Sequence, residues 1–170
     1  YSLGGEIYQQ NQQYPKSAQW YEKATELDPW SFRDFFNLGK VYRALERYTK
    51  AVTAFVRACE IDPEHYQAHL NAAKCFFELE EYDQAMEYTD RAGAIDPDMG
   101  ETYALMGDIY QAGDNYEQAV NSYRRALEAS GDEPEIMVNL ARAYLKQQRY
   151  EIAAELLNSA LEIDPDNSLA

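Results

Sequence analysis

Basic residues are scarce in this chain. Fifteen lysine and arginine residues stand against thirty aspartate and glutamate residues, which gives a formal net charge of −15. A protein that binds nucleic acid needs a basic surface against the phosphates, so this charge argues against nucleic acid as a partner. Glycine and proline number only eight and six among 170 residues. The sequence therefore shows no linker and no low-complexity segment.

Cysteines and long apolar runs are also scarce. The two cysteines, Cys59 and Cys75, lie inside predicted helices, and their spacing fits neither a disulfide framework nor a metal site. We interpret them as small buried thiols in a reducing compartment, and we expect a cytoplasmic protein. The longest apolar run, residues 51–56, includes one threonine and is far too short to cross a bilayer. We therefore expect no membrane contact within this sequence.

What the sequence does contain is one spacing that recurs along its whole length. Five tyrosines stand at intervals of 34 residues, at Tyr14, Tyr48, Tyr82, Tyr116 and Tyr150. An alanine follows ten residues after each of them, at Ala24, Ala58, Ala92, Ala126 and Ala160. A fixed period of this length predicts an array of one supersecondary unit rather than a single globular core.

Each repeat has the pattern of a helix, a short turn and a second helix. In the second repeat Phe35, Leu38, Gly39 and Tyr42 fall at i, i+3, i+4 and i+7, which is one face of an α-helix. Small side chains such as Gly39 are expected to let the two helices of a repeat approach closely. We predict no strand and ten helices, near residues 1–11, 15–27, 32–45, 48–61, 66–79, 82–95, 100–113, 116–129, 134–147 and 150–163.

Several residues predict where helices begin and end. Ser31 can cap the helix that starts the second repeat, and Asp34 three residues later completes a short capping box. Gly113 and Gly131 are expected to adopt left-handed conformations at the ends of the two helices of the fourth repeat. Proline ends the other repeats, at Pro29, Pro63, Pro97 and Pro165.

With these features the chain resembles the tetratricopeptide-repeat family over essentially its whole length. The resemblance rests on the 34-residue period, on Leu-Gly-x-x-Tyr at residues 38–42, on Met-Gly-x-x-Tyr at residues 106–110 and on the Asp-Pro pairs that end four repeats. It implies a single array over residues 1–170, with repeats at 1–31, 32–65, 66–99, 100–133 and 134–167. The first repeat lacks its opening residues, so we expect a piece of a longer chain.

The resemblance implies an all-α fold, a right-handed superhelical solenoid of five helix–turn–helix repeats. The first helix of each repeat would line a concave groove. Members of the family are mostly adaptors that hold a peptide or a helix in that groove, and they are seldom enzymes. The sequence itself shows no catalytic constellation and no phosphate-binding glycine loop, so we expect no enzymatic activity and no cofactor.

The third repeat departs most from the pattern. His69 and Thr89 stand where the other repeats carry bulky apolar residues, and Gly93 stands where the last two repeats carry Leu127 and Leu161. Two interpretations remain open: local drift that neighbouring residues compensate, or a softer joint that adjusts the curvature of the groove. His65 and His69 are spaced like metal ligands, but no third histidine or cysteine accompanies them, so we expect no metal.

The second repeat is the only basic one, with six basic residues against five acidic ones. Its cations Arg33, Lys40 and Arg43 lie on the first helix, away from the packing face, and Lys74 repeats the position of Lys40 one repeat later. Asparagines share one register of these helices, at Asn37, Asn71 and Asn139. The resemblance implies that their amides hold the backbone of a bound peptide, for which an amide has both donors and acceptors. The alternative is that they are merely solvated.

Apolar residues on the same helices complete the predicted surface. Phe77, Val138 and Leu145 are expected to supply pockets beside the cations and amides. The predicted peptide-binding groove comprises Arg33, Phe36, Asn37, Lys40, Arg43, Leu70, Asn71, Lys74, Asn139 and Arg142.

We therefore predict a non-enzymatic scaffold that binds an extended or helical segment of a protein partner and prefers acidic ligands at repeats two and three. The lysine, asparagine and arginine set of a chaperone-tail carboxylate clamp is incomplete in every frame, so that subtype is not expected. Two alternatives remain open. The chain could be a targeting or substrate-presenting region of an enzyme whose catalytic domain lies outside it. It could also be an assembly module that forms homo-oligomers.

Overall fold

A computed structural model describes residues 1–165. Over this range it contains ten α-helices and no strand, so the predicted all-α fold is confirmed. Each helix begins and ends within one residue of its predicted bounds. The helices are α1 Ser2–Gln10, α2 Tyr14–Leu27, α3 Phe32–Ala44, α4 Tyr48–Ile61, α5 Tyr66–Glu78, α6 Tyr82–Ile95, α7 Gly100–Ala112, α8 Tyr116–Ser130, α9 Pro134–Lys146 and α10 Tyr150–Ile163.

The helices belong to two compact units. The first unit spans Tyr1–Ile95 and holds α1–α6, and the second begins at Asp96 and holds α7–α10. In the first unit the pairs α1–α2, α3–α4 and α5–α6 pack together, and each pair also packs against the next. In the second unit α7 and α8 form one such pair and α9 and α10 the other. The organisation of residues 1–170 as a single array stays a prediction.

In the second and fourth repeats, close approach between the two helices depends on a glycine in the first helix. A methyl group at Gly39 would lie 2.6 Å from the ring of Phe55, and one at Gly107 would lie 2.4 Å from the ring of Tyr123. Both rings are fully buried. The predicted close approach of the two helices at Gly39 is therefore confirmed, and glycine is needed at Gly39 and Gly107 because the facing ring leaves no room for a methyl group.

The same contact explains part of the unusual sequence of the third repeat. Ala73 stands where Gly39 and Gly107 stand in the second and fourth repeats, and Thr89 stands where those repeats carry the facing aromatic ring. Both residues are fully buried, and the Thr89 hydroxyl donates to the carbonyl of Ala85 at 2.6 Å. The neighbouring Tyr88 packs on Phe76 with a ring separation of 5.2 Å. A larger residue on one helix is thus matched by a smaller one on the other.

The first helix of each repeat is followed, two residues after its last helical residue, by a residue with positive φ that is not glycine. At the end of α7 this residue is Asp114, with φ 58°, whereas Gly113 has φ −85°. The predicted left-handed cap at Gly113 is therefore wrong by one residue. After Asp114 the amide of Asn115 donates back to the carbonyl of Tyr110 at 2.8 Å. The same conformation recurs at intervals of 34 residues, at Gln12, Glu46, Glu80, Asp114 and Gln148.

The other predicted helix ends agree with the structure in part. Ser31 caps α3, because its hydroxyl oxygen accepts from the amide of Asp34 at 3.4 Å. In a capping box the Asp34 carboxylate would accept from the backbone amide of Ser31. Here it accepts instead from the hydroxyls of Ser31 and Ser2, at 2.8 and 3.0 Å. Gly131 has the predicted positive φ, 85°, but an extended ψ of −167°.

The two cysteines are buried and unpaired, as the sequence predicted. Burial raises the pKa of both thiols, Cys59 and Cys75, to about 12. Within residues 1–165 no helix has both the length and the apolar character needed to cross a membrane.

Candidate functional site

The predicted site residues of the first unit lie along α3 and α5, which are in contact with each other. Arg33, Asn37 and Lys40 follow one another at successive turns of α3, so they share one side of that helix. Arg43, one turn further, donates a hydrogen bond to the side-chain oxygen of Asn71 on α5. We call this surface the α3–α5 face and define it by Arg33, Phe36, Asn37, Lys40, Arg43, Asn71 and Lys74.

Lys40 is the exposed cation at the middle of this face. Its ammonium nitrogen lies 5.8 Å from the centre of the Phe36 ring, within range of a cation–π contact. Phe36 is half-buried, because its ring stacks on Phe32 at 5.5 Å and meets the core residue Phe55 edge-on at 5.8 Å. A positive charge is thus placed above an apolar ring whose position is fixed by the core.

Arg33 is exposed but already has a partner. It forms an ion pair with Glu6 of α1, and this contact raises the pKa of the Arg33 guanidinium. A bound carboxylate would have to compete with Glu6 or share the guanidinium with it. The sequence prediction did not include Glu6. Glu6 occupies the position in the first repeat that Lys40 occupies in the second. An acidic residue at this position was the signal in the sequence that could have identified the partner of Arg33.

Asn71 is less available to a ligand than the sequence predicted. It is buried, its amide nitrogen donates to the carbonyl of Gln67 at 2.6 Å, and its oxygen accepts from Arg43. Only one amide hydrogen has no partner in these contacts. Asn37, in the same register of α3, is half-buried. The amide that can hold a peptide backbone on this face is therefore mainly that of Asn37.

Two apolar residues of the predicted groove are not on the surface. Leu70 is 1% exposed and Val138 is fully buried, so neither side chain can line a pocket. The physical reason is the number of neighbouring helices. α5 packs against α3, α4 and α6, and α9 packs against α7, α8 and α10, which covers the helices on several sides. Phe77 is half-buried and Leu145 is 41% exposed, so both keep some surface.

The remaining predicted residues, Asn139 and Arg142, belong to α9 in the second unit. The amide nitrogen of Asn139 donates to the Asp108 carboxylate at 3.3 Å, and the Tyr123 hydroxyl donates to the same oxygen at 2.7 Å. Burial and the negative charge of Asp108 together raise the pKa of Tyr123. Arg142 is exposed one turn after Asn139. The Asp108 carboxylate thus accepts hydrogen bonds from two different helices, from Tyr123 of α8 and from Asn139 of α9.

The two histidines have structural contacts. The ring of His65 caps α5, since its Nδ1 accepts from the amide of Ala68 at 3.2 Å, and it packs against both Phe32 and Phe36. His69 is buried, and its Nε2 lies 2.9 Å from the carbonyl oxygen of Pro63. Within residues 1–165 there is no group of three histidine, cysteine or carboxylate side chains that could hold a metal ion.

Two family models match parts of the sequence. The model for the tetratricopeptide repeat matches residues 105–168. The model for subunit 3 of the anaphase-promoting complex, or cyclosome, matches residues 10–92. No curated protein matches the sequence.

Solved structures show the same arrangement of helices at low sequence identity. A structure of MamA is 18% identical, covers 99% of this chain and 92% of its own, and has a TM-score of 0.89. YrrB, a TPR protein with an unusual peptide-binding site, is 22% identical over 97% of this chain and 85% of its own, with a TM-score of 0.80. A thermophilic TPR protein of Thermus thermophilus is 20% identical over 97% and 90%, with a TM-score of 0.75. These likenesses establish a helical-repeat solenoid.

Proposed function

We propose that this chain, which belongs to the tetratricopeptide-repeat family, is a non-enzymatic protein-interaction scaffold that binds a segment of a partner protein on its α3–α5 face. The segment would be extended or helical and would bring a carboxylate to Lys40. The family supports the general role, since its members are generally scaffolds without catalytic activity. The ligand preference is supported by the residues of the face itself.

The observation that carries this preference is the position of Lys40 above Phe36. A cation beside a fixed aromatic ring suits an acidic side chain that is followed by an apolar one, because the two groups would contact the ammonium and the ring at the same time. Lys74 lies in the register of Lys40 on α5, so a second acidic residue of the ligand would reach it. The chain as a whole carries a net charge of −15, which makes this group of cations a local exception.

Preorganisation also favours binding on this face. Phe36 is held by Phe32 and Phe55, and Arg43 is held by Asn71. Side chains that are already ordered lose little conformational entropy when a ligand binds. Asn37 would then hydrogen-bond to the backbone of the segment, since its amide can donate and accept.

Fluorescence anisotropy with a matched pair of labelled peptides tests this proposal. One peptide carries alternating glutamate and leucine residues, and the other carries glutamine in place of each glutamate. We expect the acidic peptide to bind about tenfold more tightly, and to lose affinity as salt is added, because part of the binding is exposed ion pairing.

A charge-reversed variant locates the site. Lys40→Glu/Lys74→Glu is expected to remove the preference for the acidic peptide. Lys23→Glu is the matched control, because Lys23 is an exposed lysine of α2 that pairs with Glu26, so reversing it should leave the preference unchanged. Equal affinity of wild-type protein for both peptides, or equal effects of the Lys23 and Lys40/Lys74 changes, would contradict the proposed ligand preference.

A further inference from the structure

A cleft of about 530 Å³ lies in the first unit between α4 and α6, at the beginning of α5. None of its lining residues belongs to the α3–α5 face. Apolar and weakly polar side chains form most of its wall, from Val56, Cys59, Pro63, His69, Tyr88 and Ile95. Its volume is within the range of ordinary ligand sites in proteins. The cleft is therefore a second candidate site, with different chemistry from the first.

His69 gives this cleft its specificity. Its Nε2 lies 2.9 Å from the Pro63 carbonyl oxygen, which can only accept a hydrogen bond, so Nε2 carries the proton and donates. In the neutral imidazole Nδ1 is then an acceptor. The residue is 4% exposed, and Nδ1, which has less than 1 Å² of accessible surface, has no hydrogen-bond partner among the residues that the structure describes. A ligand therefore reaches Nδ1 only when side chains of the cleft wall shift to uncover it. A buried acceptor without a donor costs free energy, so a ligand that brings a donor is favoured.

The rings around His69 favour a flat apolar ligand. The Tyr88 ring lies 5.8 Å from the His69 ring and 5.2 Å from the Phe76 ring, so its own position is fixed. Val56 and Ile95 add aliphatic surface. A ligand ring would pack on these side chains, while its polar edge would have to match the single acceptor of His69.

We propose that this cleft binds a tryptophan side chain of a partner protein, with the indole N–H donating to Nδ1 of His69. An indole combines a flat apolar ring with one donor and no acceptor, which is the chemistry that the cleft lacks. The proposal does not depend on peptide binding at the α3–α5 face.

Charges at the rim define the flanks of that tryptophan. Glu60 and Glu64 are exposed carboxylates of the cleft wall, and Glu60 is paired with Arg57. The cation of the wall, Arg91, is paired with Glu87 and lies 5.2 Å from the Tyr88 ring. The acidic side chains at the rim favour lysine or arginine on either side of the tryptophan.

An NMR titration with two peptides tests this inference. The first is a capped Lys-Trp-Lys tripeptide. The second carries benzothienylalanine in place of tryptophan, so that sulfur replaces the indole N–H while ring size is kept. We expect saturable shifts at the wall residues Val56, Tyr88, Ala94 and Ile95 with the tryptophan peptide. We expect at least about fivefold weaker binding of the benzothienyl peptide. Equal affinity for the two peptides, or shifts that do not saturate or that lie outside the cleft, would overturn the inference.

Two variants separate this site from the α3–α5 face. His69→Phe keeps a ring but removes the acceptor, so the two peptides are expected to bind it equally. Lys40→Glu/Lys74→Glu leaves the cleft intact and should still bind the tryptophan peptide more tightly than the benzothienyl peptide. If His69→Phe does not fold, the comparison of the two peptides on wild-type protein still decides the question. Loss of the discrimination in the lysine variant would contradict the proposed location.

Discussion

Single side chains decide how closely the two helices of a repeat approach each other. A glycine faces an aromatic ring at Gly39 and Phe55 and at Gly107 and Tyr123. Where the first helix has alanine, as at Ala73, the facing residue is smaller and not aromatic. The small residue of the first helix and the facing residue of the second helix therefore fill one common space. A change in the size of either one alone disturbs the packing.

Replacing Gly107 by alanine tests this shared volume. The added methyl group would lie 2.4 Å from the Tyr123 ring, so Gly107→Ala is expected to lower the free energy of unfolding by about 1–3 kcal/mol. Gly113→Ala is the control, because a methyl group there would have no atom nearer than 3.7 Å, at a φ of −85°. That change should be neutral or raise stability by about 0.4–1 kcal/mol. Urea denaturation of both variants measures the difference, and equal loss of stability in both would contradict this account.

The buried thiols make a prediction about pH. Burial raises the pKa of Cys59 and of Cys75 from near 9 to about 12 in the folded protein. Below pH 9 the neutral thiols make their full contribution to the free energy of unfolding. This contribution is lost as the pH rises from about 9 to about 12, because the thiols ionise more readily in the unfolded state than in the folded state. Each thiol steepens the decrease of the free energy of unfolding by at most about 1.4 kcal/mol per pH unit.

Denaturation between pH 8 and pH 11 checks this prediction. The decrease in stability should be shallower in Cys59→Ala/Cys75→Ala than in wild-type protein, whatever the stability of the variant at pH 8. Tyr21, whose pKa burial raises to about 12, is unchanged in the variant and should keep part of the decrease. Identical slopes for the two proteins would show that the thiols ionise as readily in the folded state as in the unfolded state.

The bounds of the helices followed from the sequence because the signals recur in every repeat. Periodic apolar faces and Asp-Pro endings predict helices such as α4 and α6 to the residue. The left-handed residues after the first helices were not predicted. Glycine and asparagine are the residues that usually indicate this conformation. None of the residues that adopt it here is of either type, since they are Gln12, Glu46, Glu80, Asp114 and Gln148. The turn is set here by its backbone hydrogen bonds and its surroundings.

Glycine at one of these positions is therefore expected to stabilise the protein. Glu80 has φ 60°, which costs an L-residue about 1–2 kcal/mol relative to a helical φ. After allowing for the greater freedom of glycine in the unfolded chain, Glu80→Gly should raise stability by about 0.5–1 kcal/mol. Glu78→Gly is the matched control two residues earlier, at the last residue of α5, where glycine should lower stability by up to about 1 kcal/mol. Thermal denaturation compares the two, and a loss of stability in both would contradict the assigned conformation.

The candidate site was predicted less completely than the helices. The sequence places Arg33, Asn37 and Lys40 on one side of α3, because this follows from helical periodicity alone. It does not show that Leu70 is buried or that Asn71 is already bonded to Arg43, since both depend on how α5 packs against its neighbours. Periodicity gives the side of a helix that a residue occupies, and packing decides whether its side chain is available.

The whole molecule is acidic, and this shapes how the α3–α5 face works. A net charge of −15 repels an acidic ligand at long range. At physiological ionic strength charges are screened beyond about 8 Å, so the cations in contact with the ligand dominate over distant carboxylates. The preference of the face is therefore expected to depend on contact with Lys40 and Lys74 rather than on the overall charge.

A charge exchange between protein and ligand tests the proposed function most directly. Wild-type protein and Lys40→Glu/Lys74→Glu are each titrated with a glutamate–leucine peptide and with a lysine–leucine peptide of equal length, at about 0.15 M salt. Wild-type protein should prefer the glutamate peptide, and the variant should prefer the lysine peptide, each by about tenfold. The same order of affinity for both proteins would mean that these lysines do not contact the ligand, and it would contradict the proposed acidic-ligand site.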